Sequence, residues 1–225
     1  MTKRTIVFGK YDTALYGWTL AGLQLTDPEY QAHFQEVIGR DGPLDFSTVL
    51  SDGEPRYGSR TLTATLETSE GTRAERRARI SKIINTLDGL RWDIRHPDHP
   101  AHYLSGRVQV KEAYNDLAHA SVTVTAICDP WFYALKERVY DLPCTPEETW
   151  VTLVNKGRRV VVPKITITGD NTPLMALHYD GTTYALSEGI YTLPYLLLKP
   201  GETEIGYSSL NGCMAQISYR EAVLR

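Results

Sequence analysis

The chain has 225 residues, 42% of them hydrophobic, enough for one large domain or two modest ones around ordinary cores. With 24 basic and 27 acidic residues its net charge is -3 and neither half is basic overall, which argues against a protein that holds nucleic acid through its phosphates. Cys128, Cys144 and Cys213 are an odd number without C-x-x-C spacing, so neither a disulfide framework nor a zinc clip is implied, and reduced thiols in a protein made in the cytoplasm are expected.

Lys3 and Arg4 precede an apolar stretch, Thr5 to Phe8, that stops at Gly9, too short for the apolar region of a secretion signal. Alternating apolar residues then dominate, as in a mainly β protein. Asp41-Gly42, Asp52-Gly53, Asp180-Gly181 and Asn211-Gly212 supply the positive φ that tight turns require. Leu62, Ala64 and Leu66, and later Ala120, Val122, Val124 and Ala126, each place one face of a strand in a core.

One segment has helical spacing instead. Ile80, Ile83, Ile84 and Leu87 fall on one stripe, Thr72 with Glu75 forms a capping-box pattern, and Gly89 suits the end, so a single amphipathic helix is predicted over about Thr72 to Asp88. Its first half carries Arg73, Arg76, Arg77, Arg79 and Lys82 against the helix dipole. These residues read as a solvated face or as a surface that meets acids on a neighbouring subunit, with Arg73, Arg76 and Arg79 along one side as the candidate inter-subunit surface.

In Arg95-His-Pro-Asp-His-Pro-Ala-His-Tyr103 the imidazoles of His96, His99 and His102 recur every third residue, and three imidazoles can hold zinc. Pro97 and Pro100 favour extended polyproline geometry, however, which spaces every third residue roughly 9 Å apart, too far for one ion. A polar loop without metal is expected.

Asp141-Leu-Pro-Cys-Thr-Pro-Glu-Glu148 has the composition of an exposed linker. It divides the chain into domains 1–140 and 149–225, with 141–148 between them as the first site of proteolysis. The second domain reads as seven short strands, near Trp150 to Val154, Val160 to Thr168, Met175 to Tyr179, Thr182 to Leu186, Gly189 to Leu193, Glu204 to Tyr207 and Met214 to Tyr219, the pattern of a β-sandwich. Its apolar run Ile190 to Leu198 is broken by Pro194 and is too short to span a bilayer, so a soluble protein is expected. Tyr179, Tyr184, Tyr191, Tyr195, Tyr207 and Tyr219 suit a core, a protein interface or a sugar-stacking surface. No nucleophile elbow, H-E-x-x-H pair, phosphate loop or dinucleotide fingerprint occurs, so no catalytic, cofactor-binding or metal residue is assigned and the chain is not read as an enzyme.

Motifs in a fixed order along the chain carry a resemblance. Val37-Ile-Gly-Arg-Asp-Gly-Pro-Leu-Asp45, with Gly42 and Asp45, is followed by Tyr57, Arg60, the helix and Trp92. Tyr103-Leu-Ser-Gly-Arg-Val108, with Gly106 and Arg107, and Val122-Thr-Val-Thr-Ala-Ile-Cys-Asp-Pro-Trp-Phe-Tyr133, with Asp129 and Pro130, come next. Asn155, Gly157, Pro163 to Ile167, Asp180-Gly181, Pro200-Gly-Glu202 and Tyr219-Arg-Glu221 complete the series, which resembles the siphophage distal tail protein family, a tail-tip and baseplate hub component. Ala222 stands where the family pattern leads one to expect glycine.

The resemblance implies a structural virion protein with an N-terminal α+β domain that forms a homo-hexameric ring and a C-terminal galectin-like β-sandwich. The ring would sit at the distal end of a long non-contractile tail and join the tail tube protein to the tail-tip hub and the receptor-binding proteins. Genome DNA would pass through it without specific binding. Assembly in the host cytoplasm and location in the virion follow, with no membrane and no cofactor. Six copies at -3 each repel one another, so moderate salt is expected to favour the ring. Two other readings stay open, a host-surface glycan-binding module and a tail-associated hydrolase.

Overall fold

The computed structural model describes residues 4–51, 53–169, 175–210 and 212–225, without the side chains of Leu50 and Glu112. Asp52 and Asn211, from two of the expected turns, lie outside the described residues, while Gly53 and Gly212 have φ of 85° and 83°. The chain divides into two compact units, one running to Phe132 and taking back Leu224, the other comprising Tyr133–Val223 and Arg225. Among the described residues no helix is long and apolar enough to cross a membrane.

The first unit contains β1 (Val7–Phe8), β2 (Tyr11–Asp12), a 3-10 turn at Thr13–Tyr16, β3 (Thr19–Leu25), β4 (Phe34–Gln35), β5 (Leu44–Asp45), a second 3-10 turn at Val49–Ser51 and β6 (Arg60–Thr68). After these come α1 (Arg73–Leu87), β7 (Arg91–Arg95), β8 (His102–Asn115) and β9 (Ala120–Cys128). Seven strands form an antiparallel sheet in the order β2-β1-β7-β8-β9-β6-β3, and β4 and β5 form a separate hairpin on the connection from β3 to β6. Strands β6 and β9 pair from Arg60↔Cys128 to Thr68↔Ala120. That register sets Leu62, Ala64 and Leu66 opposite Ala126, Val124 and Val122, and all six are fully buried, as their period-2 spacing predicts. Each fully buried Leu or Val stabilises the fold by about 1.5–3 kcal/mol relative to exposure.

Helix α1 begins as its sequence predicts. The Thr72 hydroxyl accepts from Glu75 N at 3.3 Å and the Glu75 carboxylate accepts from Thr72 N at 2.7 Å, which satisfies two donors that the first turn would otherwise leave open. That hydrogen bond from the Thr72 backbone holds the Glu75 carboxyl below its ordinary pKa. Ile80, Ile83 and Leu87 are buried, the helix lies on β8 and β9, and Gly89 at φ 73° takes the chain out of it.

β10 (Phe132–Ala134) carries the chain from the first unit into the second, which continues with β11 (Arg138–Leu142), β12 (Thr149–Asn155), β13 (Lys164–Thr168), β14 (Met175–Tyr179) and β15 (Thr182–Leu186). It ends with β16 (Gly189–Thr192), β17 (Gly201–Ser209), β18 (Met214–Tyr219) and β19 (Ala222–Val223). Two four-stranded antiparallel sheets, β11-β18-β13-β16 and β12-β17-β14-β15, make a β-sandwich. Ile165, Ile167 and Ile217 from one sheet share its core with Leu153, Leu177 and Ile205 from the other. Asp180 and Gly181, at φ 47° and 70°, close the two-residue hairpin between β14 and β15.

Two expectations need amending. The strand expected from Val160 starts only at Lys164, because Pro163 has no N–H to donate, and Val161 makes just an isolated bridge with Leu198. An eighth strand, β11, is built from residues read as the end of the first domain and the start of the linker, and it pairs with β18 from Arg138↔Tyr219 to Leu142↔Ala215.

Candidate assembly surface

The residues singled out by motif are spread over the first unit and serve its framework. Arg60 is buried at the start of β6, donates to Leu224 O at 2.9 Å and lies 5.0 Å from the centre of the Phe132 ring. Trp92 donates to Leu87 O at 3.3 Å and packs on Gly9, where a Cβ would come within 2.8 Å of its ring. Gly106 faces Cys128, and a Cβ there would meet the Cys128 sulfur at 2.5 Å and Ile127 O at 2.8 Å, so the β8–β9 contact requires glycine. Burial pushes the Cys128 thiol up to about 12. Arg107 donates to Gly89 O, Asp129 pairs with Arg91 and takes Ser105 O through its own N–H, and Pro130 beside it is half-buried. Tyr57 bridges Tyr30 and meets the Trp131 ring edge-on at 5.5 Å. Asp45 accepts from Ser47, which lowers its pKa, and Gly42 at φ 76° turns the chain between β4 and β5. They do not converge on one chemical centre.

The histidine loop is turned rather than extended, contrary to the polyproline expectation. His99 N donates to His96 O and His102 N to His99 O, both at 3.1 Å, making two successive turns with a proline at the second position of each. The rings of His96 and His99 therefore come within 5.3 Å, and His99 lies 4.4 Å from the Phe132 ring. His96 is buried, and its Nδ1 accepts from Asp98 N at 3.1 Å. Burial lowers its pKa, with neighbouring Asp98 opposing the shift. Among the described residues no group of three His, Cys, Asp or Glu side chains is placed to hold a metal ion.

The candidate inter-subunit arginines separate into different roles. Arg73 is exposed, as are Arg77 and Lys82. Arg76 is only 2% exposed and does not belong to that surface: its guanidinium donates to Gly71 O, to Asp116 O at 3.0 Å and to Leu117 O at 2.9 Å, fastening the β8–β9 turn to the helix. The spacing held the clue, since 76, 80, 83 and 87 share one stripe and Arg76 extends the buried face. Arg79 is half-buried over Gly17 and donates to Thr68 Oγ1 at 3.1 Å and Glu70 O at 3.2 Å.

A cleft of about 430 Å³ lies between α1 and the first 3-10 turn, lined by Ala14, Leu15, Tyr16, Glu70, Arg79 and Lys82, with Arg73 and Arg77 outside it. Lys82 Nζ stands 4.4 Å from the centre of the Tyr16 ring, Tyr16 stacks on Tyr11, and Leu15 is 81% exposed at the rim. A second exposed surface, not anticipated from the sequence, is the β4–β5 hairpin. Residues 31–43 are all exposed, among them Phe34 and Ile38, the latter with its whole surface in solvent.

In the second unit Asn155, Gly157, Tyr219 and Glu221 gather where β12 ends and β18 ends, while the Asp180-Gly181 turn is a separate feature. Asn155 donates to Arg159 O and Leu198 O and accepts from Gly157 N, each at 2.9 Å. Glu221 pairs with Arg138 and accepts from Lys156 N, and Tyr219 donates to Val154 O at 2.8 Å. Ala222 packs against Gly157, and its φ is negative, so the position does not need glycine.

Comparison with solved structures settles the architecture. The chain superposes on the crystal structure of the Dit protein of phage SPP1 with a TM-score of 0.66 at 17% sequence identity, covering 96% of this chain and 98% of that one. This is a Dit fold. The SPP1 protein is described as a paradigm of the hub adsorption apparatus in phages that infect Gram-positive bacteria. Two baseplate structures of phage P2, in the activated conformation with calcium and with strontium, match at TM-scores of 0.47 and 0.45 with 9% and 8% identity, covering 97% and 96% of this chain and 98% and 97% of those. No protein-family model matches the chain, and no curated protein does. The likeness extends through both units.

Proposed function

We propose that the chain is a structural component of the tip of a long, non-contractile phage tail, a virion protein and not an enzyme. In this reading the first unit forms a homo-hexameric ring that joins the tail tube protein to the tail-tip hub. The β-sandwich offers a platform to receptor-binding proteins, and genome DNA passes through the ring without specific contacts. The observation that carries the reading is the Dit fold over 96% of the chain. The framework roles of Arg60, Trp92 and Gly106 support it too, because residues singled out by motif alone turn out to hold strands and helix together. Of the six tyrosines that suit sugar stacking, only Tyr195 is exposed, so no observation favours the glycan-binding reading.

A ring requires two different complementary surfaces on each copy and a rotation that closes. Negative-stain microscopy and light scattering of the purified full chain, alone and mixed with the tail tube protein, test the reading. Uniform rings of six copies are expected. A chain that stays monomeric at tens of micromolar and does not co-assemble with tube protein would overturn it.

A further inference from the structure

Cys144 and Cys213 both belong to the second unit, Cys144 exposed and Cys213 buried, and both thiols are free. Strands β11 and β18 pair in one unbroken register from Arg138↔Tyr219 to Leu142↔Ala215. Two residues beyond the last pair, the same register sets Cys144 opposite Cys213, and the even step puts them on the face that buries Leu142 and Ala215. Residues directly opposite in an antiparallel pair have Cα atoms about 4.5–5.5 Å apart, inside the span of about 4.4–6.8 Å that a disulfide bridges.

The ladder stops at Leu142, because Pro143 has no N–H to donate, yet the two cysteines still meet. Cys144 Sγ donates to Leu210 O at 2.8 Å, and Cys213 N donates to the same oxygen at 3.1 Å. The Cys144 sulfur is therefore no farther from Cys213 N than these two hydrogen bonds laid end to end. Both cysteines line one cavity of about 420 Å³ beside Thr166 and Thr168, which gives the sulfurs room to turn towards each other. Burial, with the nearness of Cys144 as a lesser cause, raises the pKa of the Cys213 thiol.

We propose that Cys144 and Cys213 are the two halves of a disulfide clasp, which closes when the chain meets a small disulfide of the oxidised-glutathione class. The Cys144 thiolate attacks one sulfur of that disulfide, forming a mixed disulfide and releasing a small thiolate, which takes up the proton that Cys144 gave up. The Cys213 thiolate then attacks the Cys144 sulfur, forming the bond between them and expelling the second small thiol with the proton from Cys213. Two protein thiols are oxidised, and one external disulfide is reduced to two thiols. Access sets the order: Cys144 is exposed and attacks first, while the buried Cys213 resolves the mixed disulfide. The bond closes the loop 144–213, pins the start of the 145–148 stretch to the sandwich and stabilises the fold by restricting the unfolded chain. It is independent of the assembly reading.

The test uses the full chain in dithiothreitol or in oxidised glutathione, beside Cys144→Ser, which replaces an exposed side chain and is expected to fold. In oxidised glutathione the intact mass is expected to fall by two hydrogens, and peptide mapping without reductant is expected to join the Cys144 peptide to the Cys213 peptide. The oxidised chain is expected to melt about 5 °C or more above the reduced one, and Cys144→Ser to show no such shift. Cleavage within 145–148 of the oxidised chain should leave its two pieces joined in denaturant until reductant is added. A chain that keeps all its thiols, a glutathione adduct on Cys144 that never resolves, or a bond from Cys144 to another chain overturns the clasp. So does a bond between Cys144 and Cys213 that leaves the melting temperature unchanged.

Discussion

At the scale of single residues, the informative positions are those where a side chain is dictated by what surrounds it. Gly106 is one, because the Cys128 sulfur and Ile127 O leave no room for a Cβ. His96 is another. Burial lowers its folded-state pKa below the ordinary histidine value, so the fold favours the neutral ring. The unfolded chain binds a proton there more readily than the folded one. His96 therefore contributes stability that is fully present above pH of about 6.5 and is lost as pH falls through its lowered folded-state value. The melting temperature is expected to drop between pH 7 and pH 5, and His96→Asn, whose amide oxygen can still accept from Asp98 N, should flatten that part of the profile. Equal pH slopes for variant and wild type would exclude His96 as the source. The sequence marked this histidine but not its surroundings, because the packing on Phe132 joins residues far apart in the chain.

At the scale of elements, the helix was legible almost to its last residue, since its caps and its apolar stripe are local signals. Arg76 was not, because its partners Asp116 and Leu117 come from the β8–β9 turn some 40 residues away. A buried guanidinium satisfying three carbonyl oxygens is a strong constraint on that turn. Arg76→Met keeps a long side chain but removes every donor, so the turn loses three charge-assisted hydrogen bonds to Gly71 O, Asp116 O and Leu117 O, and is expected to cost roughly 1–3 kcal/mol. Arg77→Met, one residue along on the exposed side, should change stability by less than about 0.5 kcal/mol. Denaturant titration of the two variants gives the comparison, and equal losses would show that the carbonyl contacts of Arg76 contribute nothing.

At the scale of the whole molecule, chain path decides what composition could not. The stretch read as a linker at 141–148 is expected to be where a protease cuts, but β11 runs into its first two residues and completes a sheet of the β-sandwich, while Leu224 lies after it and caps Arg60 in the first unit. A chain nicked there is expected to remain one species in native size-exclusion chromatography and to separate only in denaturant. Two fragments eluting apart under native conditions would show that these exchanges do not hold the pieces together. Sequence by itself determined the strands with clean alternation, the capped helix and the Asp180-Gly181 hairpin, because period, caps and turn residues act over a few positions. Only the tertiary structure decided that Arg76 is buried, that the histidine loop folds into turns over Phe132, that β11 belongs to the sandwich and that the β4–β5 hairpin stands exposed, because each depends on contacts between distant parts of the chain or on their absence.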